Sequence, residues 1–123
     1  MGAGRPVVPL GSRHLRLFTR VAENQSNVAV EVIRRSIDAH AVSYLRCYDY
    51  DFVALRDPPS GTTEVSLDIA DQLPRRVEIM TSTFAIPTFE KCIQRTVVGQ
   101  TMNEAGPGGS GHVVYDFRFE VVD

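Results

Sequence analysis

Strict alternation of apolar and polar side chains predicts four β-strands in this chain. The pattern is clearest near the C-terminus, in residues 112–121. Its apolar members share one face of the predicted strand: Val113, Tyr115, Phe117, Phe119 and Val121. Residues 13–21, 62–70 and 76–83 show the same alternation, and a turn around Pro74 is expected to join the last two into an antiparallel hairpin.

Apolar residues three and four positions apart predict two helices. The first helix is expected from Val28 to about Leu55. Its buried stripe consists of Ile33, Ile37, Ala41, Tyr44 and Tyr48. Ser26 or Asn27 is placed to cap its start. The tandem prolines of the segment RDPPSG end it, because proline cannot continue a helix.

The second helix is expected to begin at Pro87, which suits a first helical turn, and to end near Gly99. Its buried stripe consists of Phe89, Cys92, Ile93, Thr96 and Val97. The segment GPGGSG then precedes the last strand. It has neither the lysine nor the following helix of a phosphate-binding loop, and we therefore expect a plain connecting loop.

The predicted order is strand, helix, strand, strand, helix, strand. This order indicates an α+β protein, a two-layer sandwich in which a four-stranded, mainly antiparallel sheet carries two helices on one face. A ferredoxin-like connection is one way to join these elements, and periodicity leaves the strand order open. Residues 1–12 are expected to be a flexible N-terminal segment, and residues 13–123 a single domain.

The composition supports a core and argues against several classes of function. Of the 123 residues, 43% are apolar and 23% charged, which is typical of a folded domain. The 13 Lys and Arg are offset by 15 Asp and Glu without any basic run, so we expect no nucleic-acid partner. No stretch approaches the ~20 apolar residues of a membrane span, and we expect no membrane insertion of this segment.

Candidate catalytic and metal-binding residues are few. His14, His40 and His112 and the two cysteines form no CxxC, HxxxH or HExxH pair, and zinc needs three or four ligands. Cys47 has no base beside it, and the acidic residues that follow it would disfavour a thiolate. We therefore expect a protein that is not an enzyme and has no metal or cofactor.

The two cysteines have a second possible role as a pair. Cys47 and Cys92 each lie at the rim of the buried stripe of their predicted helix, so they can meet if the helices lie side by side. Two buried free thiols are the alternative. A disulfide requires an oxidising compartment, whereas free thiols would place the protein in the cytoplasm.

Five segments together resemble the AgmX/PglI-type branch of TonB C-terminal domains. They are VIRRSIDAHAVSYLRCYDYDF, GTTEVSLDIA, VEIMTSTF, PTFEKCIQ and GHVVYDFRF. This branch has a helix ending in a Cys-Tyr step, a small hairpin, a second helix with one cysteine and an aromatic closing strand. The resemblance extends from about Val28 to Phe119.

This resemblance implies a periplasmic, non-enzymatic interaction domain of a bacterial envelope machinery for transport, motility or secretion. It implies a Cys47–Cys92 disulfide and a protein or extended-peptide partner, such as an outer-membrane protein. The peptide would add to an edge of the sheet. By analogy, the expected binding edge is the closing strand, with Val113, Val114, Tyr115, Asp116, Phe117, Arg118 and Phe119.

The alternative is a self-associating scaffold. Two copies would then form a homodimer by pairing their terminal strands along Val113–Val121 or by exchanging the N-terminal strand Leu15–Val21.

Overall fold

A computed structural model describes residues 7–10, 13–52, 55, 57–102, 106 and 108–122 of the chain. Its strands are β1 (Val7–Leu10), β2 (Arg13–Ser26), β3 (Gly61–Ala70), β4 (Leu73–Ser82) and β5 (Gly111–Val122). Its helices are α1 (Val30–Asp38), α2 (Ala41–Phe52) and α3 (Pro87–Val98). The α+β class and the antiparallel sheet are confirmed.

The strands form one sheet in the order β1-β2-β5-β3-β4, and every neighbouring pair is antiparallel. The four long strands are those that the alternation predicts. The fifth, β1, lies within the N-terminal segment that we expected to be flexible, and it pairs with the first four residues of β2. The sheet edges are therefore β1 with the remainder of β2 on one side, and β4 on the other.

The core lies between one face of the sheet and the helices. The strand residues predicted to face inwards are buried there, among them Leu17, Val65, Tyr115 and Phe119. Tyr48 stacks on Phe119 with ring centroids 5.6 Å apart. This aromatic packing holds α2 against the centre of the sheet.

The single long helix predicted from Val28 to Leu55 is wrong: the chain forms two helices that meet at Ala39-His40. At this joint the His40 N–H bonds to the Ile37 carbonyl at 3.1 Å, and the Ser43 N–H to the His40 carbonyl at 2.9 Å. Both bonds span three residues instead of four, which tightens and redirects the backbone.

The predicted cap of the first helix is also wrong. Strand β2 continues past a bulge between Val21 and Glu23 as far as Ser26. The Ser26 hydroxyl accepts a hydrogen bond from the Val28 N–H at 3.1 Å, before the helix begins. The N-cap is Ala29, which makes no side-chain capping bond. Ser26 therefore stabilises the turn that precedes α1.

The predicted hairpin is confirmed, but its turn lies at Asp71-Gln72 and not at Pro74. These two residues have φ of 53° and 66°, the left-handed values of a two-residue type I′ turn. Pro74 lies within β4 and pairs with Ile69. An edge strand tolerates this proline because its missing N–H can face away from the ladder.

Helix α3 begins at Pro87 as predicted, and Gly99 is its C-cap. Phe89, Ile93 and Val97 are buried against the sheet. The opposite face of α3 is therefore turned away from the core.

Candidate functional site

The predicted disulfide is present. Cys47 of α2 and Cys92 of α3 are bonded, with their Cα atoms 5.6 Å apart. Such a bond persists in oxidising surroundings, which indicates a compartment outside the cytoplasm. Cys47 is therefore not a free nucleophile. Its bond to Cys92 joins α2 to α3 and holds α3 in place.

The predicted binding edge is wrong, because the closing strand β5 lies in the middle of the sheet. It pairs with β2 on one side and with β3 on the other. Phe119, for example, is opposite both Leu17 and Gly61. The seven proposed edge residues are Val113, Val114, Tyr115, Asp116, Phe117, Arg118 and Phe119. Since both sides of β5 are already paired along these residues, neither a peptide nor a second copy can add there in this fold.

Strand β4 is an edge strand whose two halves differ. In the first half, Pro74 has no N–H to offer. Register shifts leave Val77 outside the ladder with β3, and the Gln94 amide of α3 donates to its carbonyl at 2.5 Å. The backbone of this half is thus partly used within the chain. The second half, Glu78–Ser82, forms the rest of this edge of the sheet.

A groove lies between the second half of β4 and helix α3. Its lining residues are Glu78, Ile79, Pro87, Glu90, Lys91 and Gln94, and its volume is about 320 Å³. A second depression of about 470 Å³ is lined by Lys91, Gln94, Arg95 and Val98. The two depressions share Lys91 and Gln94 and therefore lie next to each other along α3. We call the two together the β4–α3 groove.

The wall of the β4–α3 groove is set by the packing of α3. Phe89, Ile93 and Val97 turn one side of the helix into the core, and the disulfide at Cys92 attaches its flank to α2. The side chains between these positions must then point outwards. Val98 is one of them, and 51% of its surface is exposed.

Sequence reasoning missed this groove. Neither β4 nor α3 contains a recognisable motif at these positions, and the site exists only where the two elements meet. The one usable signal is Val98, a large apolar residue one position beyond the buried stripe.

A polar cluster links the sheet to the helices beneath α1. Asp38 accepts hydrogen bonds from the Thr19 hydroxyl at 2.5 Å and from the Tyr115 hydroxyl at 3.1 Å. Close by, the buried Gln100 amide donates to the Tyr44 hydroxyl. The pKa values of both Tyr44 and Tyr115 are raised well above the ordinary tyrosine range, and burial is the largest cause. These hydroxyls therefore stay neutral and act as structural hydrogen-bonding groups.

A pair of carboxyl groups lies on the other face of the sheet. Glu64 and Asp116 are cross-strand partners, and Arg20 donates to the Asp116 carboxylate at 2.8 Å. Partial burial, and then repulsion from Asp116, raise the pKa of Glu64 above its usual value. A raised carboxyl pKa means that the folded state binds the proton more tightly than the unfolded state. This pair therefore lowers stability as pH rises through the pKa of Glu64.

The variant Glu64→Gln tests this effect. It removes the charge beside Asp116, and its amide can donate to the Asp116 oxygen that has no hydrogen-bond partner among the described residues. We expect the variant to be more stable than the wild type at neutral pH. The gain should shrink as pH falls from the raised pKa of folded Glu64 towards the ordinary glutamate value of about 4.3, because the wild-type carboxyl also becomes protonated over this interval. Urea unfolding from pH 4 to 7 measures this, and a gain independent of pH would contradict the assigned cause.

Within the described part of the chain, no group of three or more His, Cys, Asp or Glu side chains is placed to hold a metal ion. No helix among the same residues is long and apolar enough to cross a membrane.

Neither a protein-family model, nor a curated protein, nor a solved structure matches this chain. The TonB C-terminal-like assignment therefore stays a prediction.

Proposed function

We propose that this chain is a non-enzymatic protein-interaction domain that binds an extended peptide along strand β4, as TonB-like domains of the bacterial envelope do at a sheet edge. The observation that carries the proposal is the β4–α3 groove, which borders an edge strand. The proposal moves the binding edge from β5 to β4.

An edge strand presents backbone groups that an added strand can pair with, and the side chains along the groove then select the sequence. The second half of β4, Glu78–Ser82, offers five residues to an added strand, about 17 Å at ~3.4 Å per residue. An extended peptide of about five residues can therefore pair along it. The groove therefore fits a short linear segment of a partner protein.

The disulfide supports placing this domain in the periplasm, the oxidising compartment of the bacterial envelope. There it would serve a transport, motility or secretion machinery, with an outer-membrane protein as partner. A short peptide segment suits that role, because a disordered terminus of the partner can reach the groove without rearrangement of its folded part.

A selection experiment tests this function. A peptide that binds the oxidised protein is isolated from a displayed library of random linear sequences. Its binding should slow amide hydrogen exchange within Glu78–Ser82. N-methyl groups on alternate peptide positions should weaken binding roughly fivefold each where the N–H points to β4, since one hydrogen bond is worth about 1 kcal/mol. Methyl groups on the intervening positions should have little effect and serve as the control.

Two results would count against the proposal. One is protection confined to another surface, such as the outer sheet face around Asp116. The other is protection along residues 17–26 of β2 that rises with protein concentration and needs no peptide. The latter result would favour self-association through the opposite edge of the sheet.

A further inference from the structure

We propose that Gln94 fixes where the pairing of the peptide with β4 ends. Its side chain closes the edge of the sheet at Val77, so the peptide makes backbone hydrogen bonds only within Glu78–Ser82. This inference rests on the proposed function and names the class of ligand. The ligand is a short linear segment that leaves the edge at Gln94, and not a strand that runs the whole length of β4.

The pairing of β4 with β3 shows which backbone groups near its end face the open edge. The Thr83 N–H, just after β4, bonds to the Thr62 carbonyl at 3.0 Å, so Thr83 faces β3. The preceding residue, Ser82, then faces away from β3. Its hydroxyl lies 3.1 Å from that of Thr63, which agrees with this direction, because side chains lie closest in cross-strand pairs that exchange no backbone bonds. The Ser82 backbone can therefore pair with an added strand.

The Val77 carbonyl gives the direction of the backbone at the other end of this half. Val77 lies outside the ladder with β3, and the Gln94 amide donates to its carbonyl at 2.5 Å, which directs this carbonyl away from β3. Backbone groups two residues apart in a strand point to the same side, and no register shift separates Glu78 from Ile79. The backbone open to a peptide is therefore that of Ile79 and Ser82.

The Gln94 amide takes the place that the next backbone donor of an added strand would need. A strand paired at Ile79 presents its next N–H to this edge two residues further on, opposite Val77. That nitrogen would have to lie about 2.9 Å from the Val77 oxygen. The Gln94 nitrogen already lies 2.5 Å from this oxygen, so the two donors compete for one place. The pairing therefore ends at Ile79.

The backbone beyond Val77 offers little more to an added strand. Arg76 has a φ of 47° and lies within a register shift, so the strand is irregular there. Pro74 has no N–H. Loss of the Gln94 side chain should therefore open one further hydrogen-bonding position, and not the whole of β4.

N-methyl scanning of one probe peptide tests this expectation. The probe is the peptide selected on the oxidised wild type, extended by three alanines at each end. We call a position sensitive if an N-methyl group there weakens binding. In the wild type, the sensitive positions should be confined to the residues opposite Ile79 and Ser82. In Gln94→Leu, which keeps a side chain of similar size without the donor, one further position should become sensitive, two residues beyond the partner of Ile79.

The affinity of the unmethylated probe should change in parallel. We expect Gln94→Leu to bind it about fivefold more tightly than the wild type, which is the value of one backbone hydrogen bond. An N-methyl group at the new sensitive position should abolish this gain. Isothermal titration calorimetry measures the affinities, and amide hydrogen exchange locates the probe on the protein.

Arg95→Leu is the matched control, because Arg95 is the next residue of α3 and lines the same groove. It should keep the wild-type pattern of sensitive positions. A loss of stability alone cannot create a new sensitive position, so the pattern separates a positioning role of Gln94 from a structural one. If Gln94→Leu does not fold, Gln94→Ala removes the same donor and should reveal the same position.

The possible results separate this inference from the proposed function. An unchanged pattern in Gln94→Leu, with protection still within Glu78–Ser82, overturns the inference and leaves the proposed function standing. A wild-type pattern that already includes the position opposite Val77 does the same. A probe that protects only another surface of the protein overturns both.

Discussion

Cys92→Ala should lower the free energy of unfolding by about 4 kcal/mol under oxidising conditions and reduce the melting temperature by about 15 °C. The bond between Cys47 and Cys92 closes a loop of 45 residues. In the chain-entropy account, such a closure removes conformations from the unfolded chain, and the loss of the bond restores them. The fold itself should survive, because Phe89 and Ile93 still bury α3 against the sheet.

The reduced wild type is the control for this experiment. If the bond causes the difference, the wild type in reducing agent should melt close to Cys92→Ala, and the reductant should change the variant little. Thermal unfolding followed by circular dichroism measures both. Equal melting temperatures for the oxidised wild type and Cys92→Ala would contradict the bond's role in stability.

This prediction depends on features that the sequence already indicates. Each cysteine lies at the rim of an apolar stripe, and each stripe is visible because a helix repeats its buried positions every three to four residues. Alternation likewise reveals the inward residues of β5, such as Tyr115 and Phe119, because a strand alternates its faces. Patterns of this kind report which side of an element is buried.

The periodic patterns of buried positions do not report which element lies beside which. The central place of β5 depends on its pairing with β2 and β3, and the alternation of β5 would be the same at an edge. The division between α1 and α2 likewise involves a distant contact, since Asp38 at the end of α1 bonds to Thr19 and Tyr115. The β4–α3 groove is formed by two separate segments of the sequence. Their charged residues indicate a shared site only when the fold places the two segments side by side.

Phe119→Ala should cost about 3–5 kcal/mol of stability, the range for removing a fully buried phenylalanine. Phe119 has no exposed surface and lies on the central strand β5. Its ring packs against Tyr48, with centroids 5.6 Å apart, and against Phe89, at 5.4 Å. Truncation therefore leaves a cavity between the sheet and the helices α2 and α3, and rigid strands on both sides of β5 limit its collapse. Urea unfolding of the oxidised protein measures the loss.

The matched control is Phe18→Ala, which removes the same ring from the opposite face of the sheet. Phe18 is partly exposed, and the Arg118 guanidinium lies 4.7 Å above its ring. Loss of this cation–π contact should cost only about 0.5–1 kcal/mol, together with some packing area. Similar losses at Phe18 and Phe119 would mean that both faces of the sheet are covered in solution, which contradicts a two-layer fold with one face open to solvent. A large loss at Phe119 alone places the core on the helical side, where it supports the wall of the β4–α3 groove.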